Sequence, residues 1–254
     1  MSRSTTGARR YSVSGCNEYD RCPQRYRYGY IDRLPHDRPT PAAWRHGVAV
    51  HAALEAAYRA CAAGTPLPET IPIALAALDT AWRSEGLPDD PAWRERSGAM
   101  VHRTLTRDPL RVAAVLGVEQ RFDAVTAGDH RFGGVADLVL QRDDHTIEII
   151  DHKVSRTPRS AENLHRDRQL NLYGWFARLR WPWASRVLAT HHYPPLGATV
   201  TVELDDPTMT TVVGELDTIA SRATADTEFR PRPGPECETC PWITRCPAHS
   251  ADPI

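Results

Sequence analysis

Apolar residues recur at helical spacing between Ala42 and Ala60, where Val50, Leu54, Ala57, Tyr58 and then Cys61 fall on one stripe. A helix is expected there, with Cys61 on its core face. Helical patterning continues through residues 70–115, broken by Pro88 and Pro91. The period then changes. GVEQRFDAV (117–125), RFGGVADLVLQ (131–141) and HTIEIIDHKV (145–154) are short, rich in β-branched residues and separated by turn residues, as strands are. Residues 161–180 return to a helical pattern, and RVLATHHY (186–193) and ATVTVEL (198–204) read as two further strands. Asp206-Pro207 opens a last helix, in which Met209, Val212, Val213, Leu216 and Ile219 share a face. The expected fold class is α/β: a small central sheet flanked by helices, preceded by a helical portion. The single domain divides into an N-terminal segment (1–40), helices (41–116), a core (117–227) and a cysteine-rich tail (228–254) that starts with the Pro/Gly-rich EFRPRPGPE.

Composition narrows the function classes. With 254 residues, 41% hydrophobic and 25% charged, the chain has the make-up of a soluble globular protein. No run approaches the roughly 18 apolar residues of a membrane span. The N-terminal MSRSTTGARRYSVS lacks a signal-peptide core, so a cytoplasmic location and no membrane partner are expected. The net charge of −1 excludes nucleic-acid binding driven by overall charge and leaves it to local patches.

One basic residue stands apart. Of 31 lysines and arginines, Lys153 in IIDHKVSR is the only lysine. Where a solvated positive charge is all that is needed, arginine serves equally; a compact ammonium differs from a planar guanidinium only where geometry or proton transfer matters. Asp151 and Lys153, two apart on a strand, project to one face. If 131–141 and 145–154 form a hairpin, Asp137 lies beside them. Two carboxylates and an amine then converge, a set suited to a hard divalent cation and an attacking water. His51 and Glu55 share a helix face upstream, Glu119 adds a carboxylate, and Gln169 and Tyr173 form a polar pair at i,i+4.

The tail CETCPWITRC places Cys237, Cys240 and Cys246 within ten residues, a strong metal-ligand pattern in a reducing compartment. The fourth ligand is absent locally; Cys22 is the first candidate and Cys16 the alternative, and either would clasp the two termini together. Tetrahedral thiolates suit Zn²⁺ or an iron–sulfur cluster, and spacing does not separate them, so zinc is the simpler expectation.

The ordered set SVSGCNEYDRCPQRYRYGY, GVAVH, VEQRF, GGVADLV, IIDHK, QLNLY and CETCPWITRC resembles the RecB-like branch of the PD-(D/E)XK nuclease superfamily. It is most similar to stand-alone iron–sulfur exonucleases of the CRISPR-associated and phage type and to the nuclease domain of AddB. The resemblance implies a restriction-endonuclease-like core with an iron–sulfur clasp joining the termini. It implies Mg²⁺ or Mn²⁺ held by His51, Asp137, Asp151 and the carbonyl of His152, with Lys153 catalytic and Glu119 auxiliary. Gln169, and with it Tyr173, would support the active site and contact DNA. Cys22, Cys237, Cys240 and Cys246 would hold a [4Fe–4S] cluster, displacing the zinc expectation. The activity implied is cleavage of single-stranded DNA or duplex ends in CRISPR adaptation, phage recombination or repair, beside a CRISPR integrase or a helicase or recombination protein. The alternative is a non-catalytic iron–sulfur accessory subunit. Arg156, Arg159, Arg166 and Arg168 form one expected DNA patch; Arg21, Arg25, Arg27 and Arg33, interleaved with Tyr26, Tyr28 and Tyr30, form a second.

Overall fold

The computed structural model describes residues 9–112, 114–125 and 130–249, the side chains of residues 124 and 125 excepted. The chain runs β1 (Arg10–Tyr11), α1 (Val13–Arg21), α2 (Pro23–Tyr26), α3 (Ala42–Ala62), α4 (Ile71–Ser84), α5 (Pro91–Arg107), β2 (Ala114–Val125), β3 (Arg131–Gln141) and β4 (Thr146–His152). It continues through α6 (Ala161–His165), α7 (Arg168–Arg180), β5 (Arg186–Tyr193), β6 (Ala198–Leu204) and α8 (Asp206–Ala225). A π-helical turn spans Arg27–Ile31, and two 3₁₀ turns (Pro235–Thr239, Ile243–Arg245) carry the tail. Two compact units emerge. One gathers residues 1–40, 123–134 and 213–254, and the other 41–122 and 135–212; β2, β3 and α8 pass from one to the other.

The larger unit is the mixed α/β part. β3 and β4 form the expected hairpin, with Leu138 opposite Ile150. β4 pairs in parallel with β5, and β5 antiparallel with β6; β2 also pairs with β3. β4 is buried at every position, as a strand covered on both faces must be, whereas β6 alternates toward solvent as an outer strand. Leu138, Leu140 and Ile150 share a core with Val50, Leu54 and Tyr58 of α3, Leu78 of α4 and Val101 of α5. Cys61 is half-buried at the edge of the α3 stripe rather than within it. Pro91 does not break a helix but begins one: it follows Asp90, whose carboxylate accepts from the Trp93 N–H at 3.0 Å.

The expected helix over 161–180 is two helices. Asp167 sits between them with an extended backbone, and its Oδ1 accepts from the N–H groups of Gln169 (2.9 Å) and Leu170 (3.1 Å). This cap fixes the first turn of α7. Further along, a Cβ on Gly174 would approach Leu204 and Met209 to 2.8 Å, so α7 packs closer to these residues than any side chain permits.

The smaller unit is built from the terminal segments. Trp242 donates to the Leu34 carbonyl at 3.2 Å, and Asp37 accepts from Thr244 and Arg245 of the tail. β1 pairs in parallel with Arg131 and Phe132.

Candidate metal centre

Four elements of the larger unit bring their polar residues to one place. His51 lies mid-way along α3, Asp137 on β3, Asp151 and Lys153 at the end of β4, and Gln169 in the first turn of α7. Asp137 Oδ2 accepts the His152 N–H at 2.7 Å, a bond set up by the hairpin register. Lys153 Nζ stands 2.5 Å from Asp151 Oδ2, and the Lys153 N–H continues the parallel pairing by donating to the His192 carbonyl at 2.7 Å. Gln169 Nε2 donates to Asp151 Oδ1 at 3.1 Å. Tyr173 is buried; its hydroxyl accepts from the Val135 N–H at 3.1 Å and lies 3.4 Å from the Gln169 amide. The pair supports the site from beneath.

Glu119 has a larger part than the sequence indicates. It adopts φ +49, a left-handed conformation rare for a non-glycine residue and placed inside β2. One ligand atom each of His51, Glu119 and Asp137 lie within 4.8 Å of one another. Asp151 is not in this trio; its oxygens are taken up by Lys153 and Gln169.

The electrostatics are those of an anionic cluster. Burial, then the Asp151 charge, push the Asp137 carboxyl well above the usual carboxylate range; the His152 N–H and Lys153 oppose this, and Glu119 adds to it. Glu119 is raised as well, by burial and then by Glu55, against His51. The His51 ring reports the same condition. A carbonyl oxygen only accepts, so Nε2, 2.9 Å from the His152 oxygen, carries the hydrogen. Nδ1 then faces Asp137 Oδ2 at 3.5 Å, lone pair toward lone pair unless a proton or cation lies between.

A family model described as the PD-(D/E)XK nuclease superfamily matches residues 10–247. The chain belongs to this superfamily. Among solved structures, a protein named "Putative exonuclease" from Eubacterium rectale is similar over 96% of this chain and 90% of its own, at 11% identity and a TM-score of 0.60. A second structure, SSO0001, aligns over 99% of this chain and 90% of its own, at 17% identity and a TM-score of 0.44. No curated protein matches the chain.

Members of this nuclease superfamily use divalent metals, and the residues here fit one. One imidazole nitrogen and two carboxylates, both carboxyls destabilised as anions by burial, make a mostly oxygen donor set for a hard cation. The side chain of His152 points elsewhere. Its ring is buried, stacks on Tyr58 (centroids 5.5 Å apart) and meets the His192 ring, Nδ1 to Nδ1, at 2.9 Å. Burial lowers both imidazoles, His192 to about 4. His191 stands opposite Asp151 in the β4–β5 register, its Nε2 3.5 Å from Asp151 Oδ2. Sequence reasoning passed over this pair; the signal was HH near the end of a strand that is buried along most of its length.

In the smaller unit Cys22, Cys237, Cys240 and Cys246 line one cavity. The Arg232 N–H donates to Cys22 Sγ at 3.3 Å and the Gly234 N–H to Cys237 Sγ at 3.4 Å. Cys16 is buried on α1, beside Tyr26 and Tyr30, and does not line the cavity.

The expected DNA patches are altered. Arg159 is bound to Asp167 at 2.7 Å, Arg166 and Arg156 are exposed, and Arg168 is half-buried. In the tyrosine segment Tyr26 is core, while Arg21 and Arg25 pair with Glu18 and Arg27 with Asp32. Tyr28 is half-buried and Tyr30 exposed, so the segment keeps part of the surface its composition suggests.

Proposed function

We propose that the chain is a divalent-metal-dependent deoxyribonuclease of the RecB-like branch, acting on single-stranded DNA or duplex ends. One observation carries this reading. His51, Glu119 and Asp137 meet within 4.8 Å, in the same unit as the Lys153–Asp151 pair. His51, Asp137 and Glu119 would hold Mg²⁺ or Mn²⁺; Asp151, engaged by Lys153 and Gln169, and the His152 carbonyl, engaged by His51, would join them by exchanging a present partner for the ion. Bound there, the ion lowers the pKa of a water and offsets charge developing on the phosphate.

The residues of the chain do the rest. Asp151, anchored by Gln169, holds the Lys153 ammonium on the solvent side of the site. From there Nζ donates to the attacking water or a phosphate oxygen and orients the in-line displacement of the leaving oxygen. Arginine supplies the charge at that position but as a planar fork that stays protonated, in place of a compact ammonium.

The tail cavity supports a [4Fe–4S] cluster on Cys22, Cys237, Cys240 and Cys246. A single Zn²⁺, with Zn–S of about 2.3 Å, draws its thiolates to about 3.8 Å of one another. A [4Fe–4S] core takes the same four thiolates, and it is preferred here because the ordered motifs resemble iron–sulfur members of the family. The biological setting we infer is CRISPR adaptation, phage recombination or repair, with an integrase or helicase as partner. The protein should purify brown and degrade end-labelled oligonucleotides with Mn²⁺ or Mg²⁺ but not with EDTA. A colourless preparation containing zinc removes the cluster; absence of metal-stimulated cleavage on single-stranded and duplex DNA removes the nuclease.

A further inference from the structure

We infer that a groove adjoining Lys153, lined by Arg96, Arg103 and Arg156, holds the phosphates of the DNA strand that flanks the scissile bond. The groove belongs to the same unit as the metal centre and begins at Val154, the residue after Lys153. Arg156 lies three residues beyond the lysine, so their Cα atoms are at most about 11 Å apart. The other wall is α5. Trp93, Arg96, Met100 and Arg103 succeed one another at steps of three and four residues, which places two guanidiniums on one helix face over an apolar footing.

Charge makes this groove unlike the surface around it. Its lining contains no aspartate or glutamate, although the chain carries 32 acidic residues. Several arginines elsewhere in the unit are neutralised by carboxylates: Arg94 pairs with Asp79, Arg59 with Glu55, Arg159 with Asp167 and Arg186 with Glu203. Arg96, Arg103 and Arg156 are exposed and have no hydrogen-bond or ion-pair partner among the described residues. His46 adds shape rather than charge: its Nε2 is 2.8 Å from Ser97 Oγ, and burial lowers its pKa. Three unpaired guanidinium forks on a concave acid-free surface match a run of phosphates, and such contacts position a strand without reading its sequence. The groove gives the enzyme a grip on the strand that a bare metal site lacks.

This inference rests on the nuclease reading of the adjoining site, so its test avoids catalysis. Binding of a fluorescent 20-nucleotide oligo-dT to the full chain is followed by anisotropy in EDTA at several salt concentrations. Arg96→Gln with Arg103→Gln should weaken binding by about tenfold and lower the slope of log Kd against log salt by about 1.4; adding Arg156→Gln should bring the loss of slope to about 2. Unchanged affinity and slope in the triple variant, with its circular dichroism intact, overturn the inference. Groove-dependent binding in a protein that cleaves nothing would retract the nuclease and keep the groove. Cleavage with groove-independent binding would do the reverse.

Discussion

The two candidate metal-binding regions are built in opposite ways. The carboxylate site stands on β4, a strand buried at every position, and each of its groups is held by another: His152 N–H on Asp137, Gln169 on Asp151, Val135 N–H on Tyr173. The cysteine cavity stands on short turns, with Cys240, Trp242 and Ile243 as its small apolar cluster. The first site is organised by its sheet and is strained by the charges it concentrates. The second has little packing of its own, and in the proposed function the group its thiols bind would organise it. An ion should therefore relieve the first and a cluster should hold together the second.

The largest test of that contrast is Asp137→Asn. It removes a ligand oxygen and should reduce metal-dependent cleavage by at least about 100-fold, measured on an end-labelled oligonucleotide. The same variant should be more stable than the parent when metal is chelated. Asp137 has a folded-state pKa raised above its unfolded value, so the folded state binds more protons between those two values. Asp137 then makes the stability of the chelated protein fall as pH rises through that window, by at most about 1.4 kcal/mol per pH unit, and the Asn variant lacks this contribution. A thermal melt series in EDTA from pH 4 to neutrality reads the slope; equal slopes in both proteins would remove the proposed charge strain.

The corresponding test in the other unit is Cys240→Ser. Iron content and visible absorbance should be lost, with a fall in melting temperature of about 6–10 °C if the clasp acts like a cross-link worth about 3 kcal/mol. Cys16→Ser should keep both colour and iron, because Cys16 lies outside the cavity; a colourless Cys16→Ser protein would reassign the fourth ligand. Smaller again is Glu119→Gln, expected to weaken Mn²⁺ binding by about 10- to 100-fold in calorimetry, with folding unaffected. Equal affinity would return Glu119 to a bystander.

These particulars show where the sequence was informative. The 131–141 and 145–154 hairpin was legible because both strands carry turn residues at their ends, and the i,i+2 geometry of Asp151 and Lys153 follows from any strand. The grouping of Cys22 with the tail cysteines came from the resemblance and from spacing. The weight of Glu119 was hidden because its left-handed backbone cannot be read from VEQRF. His191 and His192 stayed silent because their places depend on a parallel β4–β5 register between segments far apart in the chain. In the tyrosine segment, alternation of Arg and Tyr does not reveal that Tyr26 turns inward while Tyr30 stays exposed, or that Arg25 and Arg27 meet carboxylates. Helix α5 carried no flagged residue, yet its Arg96 and Arg103 complete the groove, since only the fold places them beside Val154.

The central claim is that the lone lysine is retained for chemistry at the carboxylate site. Cleavage by Lys153→Arg, assayed with Mn²⁺ beside the parent protein at matched iron content and matched circular dichroism, tests it directly. The account predicts a loss of about 10²- to 10⁴-fold, the scale of a positioned proton-transfer group, with fold and iron unchanged. Cleavage by the arginine variant at the parent rate would contradict it.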